Sequence, residues 1–188
     1  TVPGYDRHFL LLAEMGFEMI PVKMTKDGPD MAEVEKVAAA DPAVKGILFV
    51  PTYSNPTGDT VSDETVLRLA NMKTAAPDFT IFADDAYVVH HLIEHPRVPK
   101  NLLRACEEVG NTNRVYLFSS TSKITFSGAG LGFMATSTAN LAYITKFFGT
   151  MFIGPNKAEQ LRHVKFLNAY PGGVSGLMKE HAKLLKPK

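Results

Sequence analysis

Three short apolar runs, GILFVP from Gly46, TIFA from Thr80 and RVYLF from Arg114, recur along the chain with helix-patterned segments between them, and this alternation most restricts the fold. Short apolar runs bounded by turn residues are read as buried strands, and strands separated by helices are joined by crossovers, which makes neighbours parallel. Helical spacing covers Asp6 to Met15, Met31 to Ala40, Asn101 to Val109, Ala139 to Met151, Lys157 to Asn168 and Val174 to Leu185. Ser62 is placed to cap a further helix through Lys73, with Asp63 and Glu64 in the first turn, where carboxylates suit the helix dipole. Phe17 to Met24 and Leu131 to Ser137 read as additional strands, and the strand of TIFADDAY is expected to reach Tyr87. The pattern predicts an α/β fold, a mostly parallel sheet flanked by helices on both faces.

A chain of 188 residues, 45% hydrophobic and 21% charged, is sufficient for one sizeable core. The net charge of +1 gives no electrostatic footprint for nucleic acid or an anionic membrane, and neither partner is expected. No apolar stretch is long enough to span a bilayer and residue 1 opens no signal-like leader, so a cytoplasmic location is expected. Cys106, the single cysteine, excludes an internal disulfide and a cysteine-based metal cluster, and its helical setting makes it a core residue.

In an open parallel sheet, ligands collect beyond the carboxyl ends of the strands. Three unusual segments fall there: Thr52 to Gly58 (TYSNPTG), Asp84 to Tyr87 (DDAY) and Ser119 to Lys123 (SSTSK). Lys123 stands among small and hydroxyl residues with no carboxylate beside it in sequence. Partial desolvation in such a setting lowers an ammonium's hold on its proton and frees a nucleophilic amine. Two other chemistries compete for these motifs. Ser120-Thr121-Ser122-Lys123 fits S-x-x-K, an acyl-transfer pattern, but that reading needs a helix starting at the serine and partner motifs that the chain does not carry. His91-Leu92-Ile93-Glu94-His95 fits H-x-x-E-H, a zinc pattern when helical, yet Pro96 follows at once and no third ligand is marked, so no metal is expected. The stripe Tyr143, Phe147, Phe148 and Phe152 has the spacing of a core-facing or interface helix, and Lys179, Lys183, Lys186 and Lys188 read as a solvated face and tail.

One cofactor would use all three segments. A Schiff base from Lys123 to pyridoxal 5'-phosphate needs an acid near the pyridine nitrogen, for which Asp84 is placed. Asn55 and Tyr87 are apt donors to the ring oxygen, and Ser120 and Ser122 to the phosphate.

Asn55-Pro56-Thr57-Gly58, the D-x-A-Y of Asp84 to Tyr87 and the S-x-S-K of Ser120 to Lys123 together resemble the fold-type I pyridoxal phosphate enzymes, specifically the class I/II aminotransferases, over nearly the whole chain. PGYDRHF, STSKITFSGAG and IGPNKAEQLRHV are similar to the MocR-like or aspartate aminotransferase-like branch. The resemblance implies that Lys123 anchors the cofactor and moves the substrate proton, with Asp84 as ring-nitrogen partner and Tyr87 and Asn55 as ring-oxygen donors. It assigns the phosphate to Ser120, an aromatic ring on the cofactor face to Tyr5, and a place behind Asp84 to His8. It implies amino acid and 2-oxo acid substrates, with aspartate as the donor, and a homodimer in the full-length protein in which Asn156 contacts the other subunit's cofactor.

The family's phosphate-binding arginine, eight residues after the lysine, is Leu131 here. The resemblance also implies a cofactor-binding large domain over residues 1–175, with 176–188 beginning a helix toward a small domain. A fragment of that kind is expected to be a poor catalyst alone. A non-catalytic effector domain of a MocR-type regulator and a lyase on the same scaffold are the alternatives.

Overall fold

A computed structural model describes residues 1–188. Helix α1 (Asp6–Glu14) is followed by a small antiparallel pair, β1 (Met24–Thr25) with β2 (Gly28–Pro29), and by α2 (Met31–Ala40). The main sheet is built from β3 (Gly46–Phe49), β4 (Thr80–Asp84), β5 (Val115–Ser120) and β6 (Gly132–Thr136), with α3 (Asp63–Asn71) and α4 (Leu102–Glu108) as crossovers. Helices α5 (Thr138–Met151), α6 (Lys157–Ala169) and α7 (Gly173–Leu185) close the chain, and α7 runs unbroken through residue 175.

Strand order is β3-β4-β5-β6. The first three are parallel, with Ile47 opposite Ile81 and Ile81 opposite Val115, as the alternation predicts. β6 returns from β5 without an intervening helix and pairs antiparallel, Ser120 opposite Gly132, which gives a mixed and mostly parallel sheet.

The helix starts are written locally. Asp30, Ser62, Asn101, Ser137 and Asn156 each accept a hydrogen bond from a backbone N–H in the first turn of the helix they precede. Asn156, which the resemblance sends across a dimer, is thus the cap of α6, bonded to the Glu159 N–H.

One sheet face carries the core. Phe49, Ile81, Ala83 and Val115 pack against Val34 and Ala38 of α2, Val66, Leu69 and Ala70 of α3, and Leu102, Ala105 and Cys106 of α4. Leu69, Ile81 and Val115 are fully buried, and truncating a side chain such as Leu69 to alanine costs about 2–5 kcal/mol. The other face is thinly covered. By alternation and register it presents Leu48, Phe82, Asp84, Tyr116, Phe118 and Met134, with Phe82 stacked 5.8 Å from Tyr116 and 38% exposed. His8 of α1 reaches this face, and Tyr143 of α5 lies near enough to Tyr116 to add to the upward push that burial gives its phenol.

Three expectations need correction. Phe17 to Met24 is no continuous strand: pairing is confined to its end, Val22 and Met24 through Val2, Lys23 through the Asp30 N–H and Met24 opposite Pro29, and Phe17, Met19 and Ile20 are exposed because no neighbour supplies a ladder along them. The strand from Thr80 stops at Asp84, where the chain turns, closed by the His90 N–H to the Tyr87 carbonyl. Tyr143, Phe147, Phe148 and Phe152, read as core-facing or interface, are exposed and α5 buries no residue, which removes the core half of that reading. No helix is long and apolar enough to cross a membrane.

Candidate active site

Because β3, β4 and β5 are parallel, the segments following them emerge at one sheet edge. Asp84 ends β4 and accepts a 2.9 Å hydrogen bond at Oδ2 from His8 Nε2–H. Tyr5 packs edge-on against His8, ring centroids 5.3 Å apart. His8 therefore stands behind the Asp84 carboxylate, with Tyr5 packed against its ring. Asp85 turns its side chain the other way, as alternation requires, and is buried. Burial pushes its carboxyl above the usual range, Thr52 offsets part of that, and the neighbouring Asp84 charge adds to it. Asp85 Oδ1 and Thr52 Oγ1 nevertheless form no well-aligned hydrogen bond.

Lys123 lies in a single turn that follows β5, with the Ile124 and Thr125 N–H groups both donating to the Thr121 carbonyl at 2.9 Å. No helix starts at Ser120, so the S-x-x-K arrangement is not formed. Its ammonium stands 5.0 Å from the centroid of the Tyr87 ring, a cation–π distance. The side chain is exposed, contrary to the partial desolvation expected from its small neighbours, because residues 1–188 lay nothing over it. Ser120 Oγ accepts from the Ser122 N–H at 3.3 Å, which turns both serines into the same corner.

Two adjacent histidines tie the segments together. His90 Nε2–H donates to the Lys123 carbonyl at 3.0 Å, and its ring packs edge-on against Tyr87 at 5.5 Å. Burial lowers its imidazole below the ordinary value; the Lys123 and Tyr87 carbonyls offset part, and the His181 and Lys123 charges lower it further. A neutral His90 that donates from Nε2 leaves Nδ1 a buried acceptor without a partner. His91 Nδ1 lies 2.9 Å from the Tyr53 hydroxyl, so the post-β4 segment bridges the turn after β3 and the lysine turn after β5. Tyr53 itself sits at φ 49°, a left-handed conformation unusual for a bulky residue, held at its N–H by Thr60 Oγ1 as well as at its hydroxyl. Asn55 follows two residues later, half-buried, and precedes a cis Pro56. His91 and His95 are not on a helix, and no three metal-ligating side chains gather anywhere in the chain.

The chain matches the aspartate amino-transferase family model across residues 1–188. It belongs to that family. An aspartate aminotransferase of Corynebacterium glutamicum is 46% identical over 187 residues, all of this chain and 43% of the relative. The crystal structure of an aspartate transaminase from C. glutamicum superposes with a TM-score of 0.94 at 46% identity, covering 99% of this chain and 43% of that one. The fold extends to the Pyrococcus horikoshii kynurenine aminotransferase, with a TM-score of 0.74 at 21% identity, covering 98% of this chain and 45% of that one. The chain thus spans less than half the length of the curated relatives it matches.

Relative to the family pattern quoted above, the corner at Leu131 differs. Its N–H donates to Thr121 Oγ1 at 2.8 Å and its carbonyl accepts from the Thr121 N–H at 2.9 Å, which closes the loop carrying Lys123. Thr121 is buried beneath that loop, and His163 of α6, also buried, approaches it. Sequence reasoning missed His90 and His163 because their partners lie 33 and 42 positions away, a relation that no local spacing encodes.

Proposed function

We propose that residues 1–188 form the cofactor-binding part of a pyridoxal 5'-phosphate-dependent aminotransferase that moves an amino group from an amino acid, with aspartate as the donor, to a 2-oxo acid. One observation carries this reading: Asp84, backed by His8, and Lys123, set over Tyr87, stand at the ends of adjacent parallel strands. The residues present fit the group. Asp84 offers a carboxylate oriented by a histidine, which suits a protonated ring nitrogen. Asn55 and Tyr87 supply donors for a ring oxygen, and Tyr5 an aromatic face. Ser120, Ser122 and the amides of the Gly128–Gly130 turn supply donors for a phosphate in place of the arginine that Leu131 replaces.

When bound, pyridoxal phosphate takes up the electron pair left as an amino acid loses its α-proton. Lys123 Nζ would hold the group covalently at rest and carry the proton when released. Tyr87 keeps that amine at the strand end through its ring, and His90 holds the backbone beneath it. A homodimer in the full-length protein and a division between residues 1–175 and 176–188 belong to the same reading.

The test uses the full-length protein, borohydride and peptide mass spectrometry. A reduced pyridoxyl adduct on Lys123, absent in Lys123→Ala, together with transamination of aspartate and 2-oxoglutarate, is expected. Stable adduct on another lysine, or full activity in Lys123→Ala, overturns the proposal. The isolated 188-residue chain is expected to turn over far more slowly than the ~1 per second of an ordinary enzyme.

A further inference from the structure

We infer that His163 is a positioning residue that fixes the turn carrying Lys123. The inference rests on the reading of Lys123 as the cofactor anchor. A single imidazole nitrogen, His163 Nε2, lies 3.1 Å from Thr121 Oγ1 and 2.8 Å from Thr125 Oγ1. These hydroxyls belong to the residues two before and two after Lys123, so one ring grips the turn on both sides of the lysine. The ring has little freedom, because Nδ1–H donates to the Glu159 carbonyl one helical turn earlier at 2.9 Å. His163 and Thr121 are each 5% exposed, which removes water as a substitute partner.

With Nδ1–H donating, Nε2 is the acceptor, and the two hydroxyl protons share its one lone pair. The single Thr125 proton serves Nε2 at 2.8 Å in preference to the Thr121 carbonyl at 3.2 Å, while Thr121 Oγ1 also accepts from the Leu131 N–H. Helix α6, the turn and the closing strand pair at Leu131 therefore meet at one buried polar point. The Lys123 side chain makes no hydrogen bond or ion pair and stands over Tyr87, and its backbone is held by His90 on one side and by this point on the other. A flexible four-carbon stem places its amine only as well as its Cα is placed, and a misplacement of about 1 Å can cost on the order of a hundredfold in rate.

Two substitutions separate this role from a merely structural one. His163→Gln puts a polar group where Nε2 stands and can keep the threonines; His163→Asn puts one where Nδ1 stands and can keep only the helix contact. In the cofactor-free full-length protein, amide exchange at Ile124 and Thr125 is expected to rise roughly tenfold or more in His163→Asn, the loss of about one hydrogen bond's worth of protection, and to stay near wild type in His163→Gln. With cofactor and substrates, His163→Asn is expected to lower kcat at nearly unchanged KM, and His163→Gln to restore it. Equal behaviour of the two variants, or wild-type exchange at Ile124 and Thr125 in His163→Asn, overturns the inference. Should both histidine variants fail to fold, Thr125→Val decides in the same assay, faster exchange supporting the grip and wild-type exchange refuting it. A normal Lys123 adduct with unaffected His163 variants would sink this inference alone, whereas no adduct on Lys123 would sink the function on which it rests.

Discussion

Arg114 immediately precedes β5, and replacing it with methionine should loosen the strand that delivers Lys123. Its Nη1 lies 2.9 Å from the Met72 carbonyl, 3.2 Å from that of Ala70 and 3.4 Å from that of Leu69, groups at the end of α3 that lack helical partners. A hydrogen bond to a charged group contributes about 1.5–3 kcal/mol, but only the shortest of the three is well formed. The Ala70 carbonyl keeps Asn111 Nδ2 at 2.7 Å after the change and adds little to the loss. A cation at a helix C-terminus adds roughly 0.3–1 kcal/mol. The sum for the half-buried side chain is about 2 kcal/mol. At 1.4 kcal/mol per tenfold, amides in the last turn of α3 and the first half of β5 should exchange about thirtyfold faster when measured by native-state hydrogen exchange. Since all three contacts come from one nitrogen, the planar fork of arginine is not used, and Arg114→Lys should recover roughly half of the loss. Arg104→Met, exposed and without a side-chain partner, is the control and should change exchange by less than about twofold. A change below about threefold in Arg114→Met, or equal changes in both variants, would refute the reasoning.

Further outcomes follow from other residues. Asp85→Asn should stabilise the protein at neutral pH: burial raises the folded carboxyl, so its favourable contribution is present only below the unfolded value near 4 and is lost as pH rises through the folded one. Denaturation midpoints of the two proteins should therefore converge on acidification below about pH 4, and a gap that widens there would contradict the sign. Cys106 is fully buried, its thiol pushed up to about 11 chiefly by desolvation, so Ellman's reagent should label it only on unfolding; rapid labelling of native protein would be inconsistent with this. Gly130→Ala should disturb the lysine loop, because a Cβ there meets Ser122 Oγ at 3.0 Å and Thr121 Oγ1 at 3.1 Å; the yield of borohydride-trapped Lys123 adduct should fall, and an unchanged yield would show that the loop yields freely.

What was legible in the sequence and what was not divide along a physical line. The three core strands and the helices were readable because each rests on local signals, an apolar run or a cap such as Ser62 or Asn101. The three motif segments were readable for the same reason, since a parallel sheet sends strand ends to one edge. Phe17 to Ile20 and the α5 aromatics carried strand and core signals that the fold does not use, because an apolar pattern states only that a surface wants a partner, not that one is present. The exposure of Lys123 is the same failure at a polar residue. His90, His91 and His163 were missed for a different reason: histidine carries no preference for one partner, and its meaning is set by what the topology places opposite it. His91, whose metal-like spacing was set aside because Pro96 follows at once, faces Tyr53, a partner that no spacing named.

The parallel arrangement of β3, β4 and β5 also separates two edges by the length of a strand, about 17 Å for the five residues of β4. At the edge away from Lys123, the connection into β4 is anchored by buried Met72, Ala76 and Phe79, and the one into β5 by Asn111 and Arg114. The connection into β3 is different: Asp41, Pro42 and Ala43 form an exposed turn with no long-range side-chain bond. An affinity tag, fluorophore or surface tether inserted between Pro42 and Ala43 would therefore orient the molecule with its chemistry facing outward, free of the support.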